Sequence, residues 1–235
     1  MNRTEAMVCA AVAQGTYVNR CDEPNFRLLA RFENKGTDTQ GFAGEAFNDT
    51  FLIGFRGSEE TGTADWITDL KFVLSDYPFV PAGVGAVKVH YGFIQAFSSV
   101  RDAILQMARD STQPKVLTTG HSLGGALAIL AALDISQSIP DRQVSCYTFG
   151  SPKVGNPAFA KYYNGLVPNT VRIVNDADII PTIPPAGYEH VGQLYHLKPS
   201  QTGSGGLVEA VTKRVSDHLP HNYITALDQF TRSSS

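Results

Sequence analysis

The sequence predicts an α/β fold, a mostly parallel central sheet flanked by helices, on three observations. Segments of strand character alternate with segments of helical periodicity along the chain. Phe51 to Phe55 reads FLIGF, a nearly unbroken apolar run of the kind a strand covered on both faces requires. The stretch VLTTGHSLGGALAIL, Val116 to Leu130, sets a sharp glycine-containing turn between a β-prone run and an alanine- and leucine-rich helix former.

Taken in order, the chain opens on AMVCAAVA. With Arg3 before it and an A-x-A at Ala11 to Ala13 this has features of a signal peptide, but the apolar run is short and Glu5 precedes it. Ala6, Ala10, Ala13 and Tyr17 fall at helical spacing, so the segment reads as a structural first helix, and secretion stays open. RLLARFEN (27–34) and EAFNDTFLIGFRG (45–57) read as strands, with Asn48-Asp49 marking a turn. VKVHYGF leads into a helix in which Phe93, Phe97, Val100, Ile104 and Met107 keep one apolar face. After the strand, turn and helix of 116–130 come QVSCYTFG as a strand and GNPAFAKYYNGL as a short helix, with Asn156 as N-cap and Pro157 in its first position. TVRIVN alternates apolar with polar residues, Ile179 to Pro185 is a proline-broken loop, and QLYHL is the last strand. PSQTGSGG (199–206) is too short to link domains and reads as a flexible loop.

Composition bounds the function. With 235 residues and 43% hydrophobic content, the chain can bury one substantial core, so residues 1–235 are expected to form a single domain. A net charge of −3 without any like-charge run of five gives no footprint for nucleic acid or an anionic membrane surface. Nothing approaches ~18 consecutive apolar residues, so no transmembrane segment is expected. Cys9, Cys21 and Cys146 are odd in number and lack C-x-x-C spacing, which argues against a disulfide scaffold and a metal site.

The chemistry concentrates in Gly120-His121-Ser122-Leu123-Gly124, which fits G-x-S-x-G. In that pattern a serine on a strand-to-helix turn projects its hydroxyl above the sheet, and glycines let the neighbouring chains pass. A phosphate-binding turn would want G-x-G-x-x-G or a Lys after the last glycine, and Gly125 is followed by Ala126. Ser122 is a weak nucleophile until a base takes its proton, so an imidazole must reach Oγ and a carboxylate must hold the ring's other nitrogen. The backbone N–H of Leu123, the residue after the nucleophile, is the expected first oxyanion donor.

Six segments carry a resemblance: FRGS, DWITDL, VHYGF, GHSLGGALA, YTFGSPKVGN, and VNDADIIPTIPP followed at a distance by DHLPHNYI. In their order, from about residue 51 to 226, they resemble the class 3 lipases, the α/β-hydrolase group of fungal lipases and feruloyl esterases. The resemblance implies the α/β-hydrolase fold and a Ser, Asp, His triad in that chain order. It places the carboxylate at Asp178, where Ile180 stands in for the family's usual Val, with Asp176 as the rival. It places the base at His218, since Tyr223 follows five residues later, with His221 as the rival; His90 and His190 receive structural roles. From FRGS it carries over Ser58 as the second oxyanion donor. The implied activity is carboxylic ester hydrolysis without cofactor or metal, foremost by a triacylglycerol lipase acting on a lipid at an oil-water interface. An esterase for short-chain or phenolic esters and a phospholipase A1 are the alternatives, and a non-catalytic lipase-like binding protein is a third. The sequence leaves acyl specificity open.

After Ser58, the residues Trp66, Ile67, Leu70, Val73 and Leu74 fall on one face of a short amphipathic helix. Following the proposed oxyanion residue, with Gly62 as hinge, this is expected to be a lid formed by Trp66, Ile67 and Leu70. A helix permanently docked on the core is the alternative.

Overall fold

A computed structural model describes residues 1–57, 72–176, 178–197 and 216–232. Helix α1 (Arg3–Gly15) is capped by Asn2, whose side chain accepts from the Glu5 N–H, and it buries Ala6, Val8, Cys9, Ala10, Val12 and Ala13. Strands β1 (Phe26–Asn34), β2 (Thr39–Ala46) and β3 (Thr50–Phe55) pair antiparallel in succession. From β3 onward the sheet turns parallel through β6 (Lys115–His121), β7 (Gln143–Phe149), β8 (Thr170–Asn175) and β9 (Gln193–Leu197), giving the order β1-β2-β3-β6-β7-β8-β9. A separate antiparallel pair joins β4 (Leu74–Asp76) to β5 (Lys88–His90).

Side chains of β6 show how the layers are pinned. Successive residues of a strand face opposite ways, and Thr118 Oγ1 donates to the Ala128 carbonyl on one face while Thr119 Oγ1 donates to the Cys9 carbonyl on the other. The first bond holds helix α4 (Leu123–Ser138), which is buried from Gly124 to Ile135 as a helix packed on several sides must be. The second holds α1, and helix α6 (Pro220–Arg232) packs beside α1 on that same face. Helix α5 (Pro157–Leu166) starts as its sequence predicts, with the Asn156 side chain accepting from the Phe159 N–H and Pro157 in the first turn.

The structure departs from the sequence reading in three places. The helix from Phe93 to Met107 is two helices, α2 (Tyr91–Ser98) and α3 (Arg101–Asp110). Between them Ser99 Oγ donates back to the Ala96 carbonyl at 2.7 Å, a local bond that competes with helix continuation. Strand β2 was not foreseen, because TQGFAGEA is rich in Gly and Ala and carries little β-propensity of its own; pairing on both edges fixes it. Finally, Val73 and Leu74 do not continue a helix: the Val73 carbonyl accepts from the Tyr91 N–H and Leu74 opens β4. The rest of the predicted lid, with Trp66, Ile67 and Leu70, and the loop at 199–206 lie outside the described residues.

Among the described residues no helix is long and apolar enough to cross a membrane. Cys9, Cys21 and Cys146 are unpaired.

Candidate active site

The central parallel strand β6 delivers Ser122 at its end, and the backbone there is strained. Ser122 has φ 56° and ψ −128°, a region that residues with a Cβ avoid and that costs ~1–3 kcal/mol. Three contacts hold the turn: the Ser122 N–H donates to the Phe149 carbonyl, the Gly125 N–H donates to the Ser122 carbonyl, and Gly124 packs directly on β3. A Cβ on Gly124 would lie 2.3 Å from the Phe55 carbonyl oxygen, so the elbow and the end of β3 approach closely only because this residue lacks one. Leu123 begins α4, so its N–H belongs to the first turn, where helix geometry provides no intrahelical partner and the helix dipole is positive.

The sequence expects a serine hydroxyl standing above the sheet; Ser122 is instead 1% exposed. The end of β3 reaches over it, a Cβ built on Gly57 falling 3.2 Å from Ser122 Cβ. Its Oγ and the Nε2 of His218 are both buried, and neither has a hydrogen-bond partner among the described residues. Two unpaired polar atoms in a buried site are costly unless the site is built to use them.

Asp178 and His218 come together from segments 40 residues apart, with His218 Nδ1 and Asp178 Oδ2 at 2.8 Å. The carboxylate is gripped on every side. Asp178 Oδ1 accepts from the Ile180 N–H at 2.9 Å, where a 3-10 turn (Ile180–Thr182) begins, and Oδ2 also accepts from the Tyr223 hydroxyl. That hydroxyl in turn accepts from the Asn175 N–H at the end of β8. Burial first, and then the adjacent carboxylate, push the Tyr223 phenol well above its ordinary range, so it remains a donor. Gly150 closes the packing: at φ 59° it turns the chain after β7, and a Cβ there would stand 2.7 Å from Asp178 Oδ2 and 2.9 Å from His218 Nδ1.

The rival residues sit elsewhere. His221 is exposed on α6, and Asp176 lies in the turn after β8, where its N–H donates to the Leu197 carbonyl. His196 Nε2 donates to the Asp176 carbonyl, and His190 Nε2 to the Pro181 carbonyl in the loop that carries Asp178. His90 stacks on Phe93 with ring centroids 4.3 Å apart. Ser58 lies outside the described residues, although Gly57 before it is in place. Sequence reasoning gave no functional weight to Gly150, nor to Tyr223 beyond its spacing from His218; both touch the carboxylate only through tertiary contact. Among the described residues no group of three or more His, Cys, Asp or Glu side chains is placed to hold a metal ion.

Residues 52–188 match the family model described as Lipase (class 3). The chain belongs to the class 3 lipase family. A lipase of Rhizomucor miehei is 40% identical over 62% of this chain, and the chain spans 41% of that relative's length. The solved structure of the Rhizomucor miehei lipase propeptide complex superposes with a TM-score of 0.76 at 31% identity, covering 83% of this chain and 68% of that one. Another solved structure, of a triacylglycerol lipase with a serine protease triad as its catalytic centre, has a TM-score of 0.73 at 29% identity over 92% of this chain and 91% of that one. A secreted mono- and diacylglycerol lipase of Malassezia globosa is 27% identical over 88% of this chain and 72% of its own length. The central sheet and its flanking helices are therefore those of an α/β-hydrolase.

Proposed function

We propose that this class 3 lipase chain hydrolyses carboxylic esters, foremost those of acylglycerols, through Ser122, His218 and Asp178. One observation carries the reading: an imidazole tied at Nδ1 to a buried carboxylate, in the same site as a strained elbow serine, with its Nε2 and the serine Oγ both without a partner among the described residues. In the first half-reaction Ser122 Oγ attacks the ester carbonyl carbon while His218 Nε2 takes its proton. The negative oxygen of the tetrahedral intermediate accepts from the Leu123 N–H and from Ser58. Collapse breaks the bond to the alkoxy oxygen, and the proton on His218 passes to the departing alcohol. Water then attacks the acyl-enzyme with His218 again as base, releasing the acid and restoring Ser122. Asp178 keeps the ring's Nδ1–H directed at itself and stabilises the imidazolium formed in both steps.

Exposed apolar side chains favour a lipid over a soluble ester. Ile179, directly after Asp178, and Phe72, Val73 and Tyr91, where the Val73 carbonyl meets the Tyr91 N–H, all face solvent. Such surface is stabilised by about 25 cal/mol per Å² when it leaves water for an apolar phase. The test is hydrolysis of a chromogenic ester series from two to eighteen acyl carbons. A maximum at eight or more is expected; a sharp fall beyond four would make the enzyme an esterase for short or phenolic esters.

A further inference from the structure

Beside the elbow serine lies a second buried imidazole that the reaction does not use. His121, at the end of β6, is 3% exposed, and its ring lies 4.5 Å from that of His218 at a tilt of 36°. Both of its nitrogens are occupied. Nε2 lies 2.5 Å from the His218 backbone carbonyl, and Nδ1 lies 2.9 Å from the hydroxyl of Tyr17, just past the end of α1. A carbonyl oxygen can only accept, so Nε2 carries the hydrogen. Burial, and then the neighbouring His218, hold His121 well below the ordinary imidazole range, so the ring is neutral and Nδ1 is bare. Tyr17 therefore donates into Nδ1, and one tautomer is enforced from both ends.

The Tyr17 hydroxyl touches a second part of the site. A Cβ on Gly57 would fall 2.2 Å from Tyr17 Oη and 2.5 Å from the His121 carbonyl oxygen, so the phenol is seated against the strand end that leads to Ser58. One side chain from the N-terminal segment thus meets both the strand beside the nucleophile and, through His121, the backbone of the base. The backbone of the His218 turn is tied down at two neighbouring carbonyls: Asn175 Nδ2 donates to that of Asp217 at 3.0 Å, and His121 Nε2 donates to that of His218 itself. His218 precedes α6, with residues on either side joined by short-range turn bonds, and its ring bond to Asp178 fixes one nitrogen but not the position of its backbone.

We infer that Tyr17 and His121 are positioning residues for the reaction proposed above: the bonded pair fixes the His218 carbonyl and supports the face of its ring, setting where Nε2 stands relative to Ser122 Oγ. The inference rests on Ser122 and His218 being nucleophile and base. A displacement of the base by a fraction of an ångström acts on proton transfer and leaves ester binding alone.

The experiment measures kcat and KM on a soluble short-chain ester, together with the rate at which an organophosphonate labels Ser122, in wild type and in Tyr17→Phe, His121→Gln and His121→Leu. Melting curves set an assay temperature at which every variant is folded. For Tyr17→Phe we expect kcat to fall ~10-fold, with KM within about twofold and labelling slowed in step. His121→Gln retains an N–H able to reach the same carbonyl and is expected to keep several times the activity of His121→Leu. Wild-type kcat and labelling rate in Tyr17→Phe, or equal losses in His121→Gln and His121→Leu, overturn the inference. A His218→Ala control that labels and turns over like wild type would instead refute the assignment of the base, and this inference with it.

Discussion

The end of β6 and the turn before α6 each bring a buried imidazole to the same place, and among the described residues only one of the two rings keeps a nitrogen free. His121 sits on a rigid central strand with a phenol on one nitrogen and a carbonyl on the other. His218 sits on a connecting turn with a carboxylate on Nδ1 and, among the described residues, nothing bonded to Nε2. Burial alone therefore does not make a base. A proton carrier needs one nitrogen held and one left open, whereas the His121 ring is closed at both ends by Tyr17 and the His218 carbonyl.

The largest effect breaks both sides of this comparison at once. Ser122→Ala removes the group whose proton is to be moved, and turnover is expected to fall at least ~10⁴-fold in pure protein. Retention of a tenth of the activity would remove Ser122 as nucleophile. The same change also removes a buried oxygen that has no partner among the described residues, so the variant should melt no lower than wild type.

A comparably large but selective effect is expected from the partners. His218→Ala and Asp178→Asn should each lower kcat by ~10³–10⁴-fold, since the first deletes the base and the second favours the wrong tautomer. His221→Ala and Asp176→Asn should stay within a few-fold, because neither side chain reaches the pair. An inactive His221→Ala beside an active His218→Ala would invert the assignment.

How much of this was legible in the sequence depends on whether the chemistry is local. The elbow is, because G-x-S-x-G with its strand and helix spans one short stretch, and Ser122 and Leu123 could be named from it. Asp178 and His218 could not be chosen from neighbouring residues; the resemblance singled them out against Asp176 and His221. Tyr17 looked like a helix-face residue in register with Ala13, yet α1 ends at Gly15 and the phenol bonds a ring 104 positions away. No periodicity encodes such a contact. Strand β2 was hidden for a related reason, since its Gly and Ala residues become a strand only through pairing with β1 and β3.

The comparison can also be sharpened through stability, where the lowered pKa of each occupied histidine acts. His121 is held well below its ordinary range, chiefly by burial and then by His218. His190 is pushed down to about 4 by burial and by the nearby Arg172 charge, with its bond to the Pro181 carbonyl working the other way. Both rings stay neutral in the folded chain and gain a proton on unfolding once the pH is below the ordinary value of ~6.5. The unfolded state then binds more protons, so their stabilising effect is complete above that value and declines as pH falls toward the folded pKa. Each such group changes the unfolding free energy by about 1.4 kcal/mol per pH unit inside its window. Urea unfolding of wild type between pH 6 and 4.5 should therefore lose stability steeply. In His190→Gln, which keeps an amide donor for the carbonyl but cannot titrate, the slope should be shallower by about 1 kcal/mol per pH unit. An unchanged slope would mean that this ring is already able to charge in the folded protein, and that burial in this loop locks it far less than the ring at the end of β6.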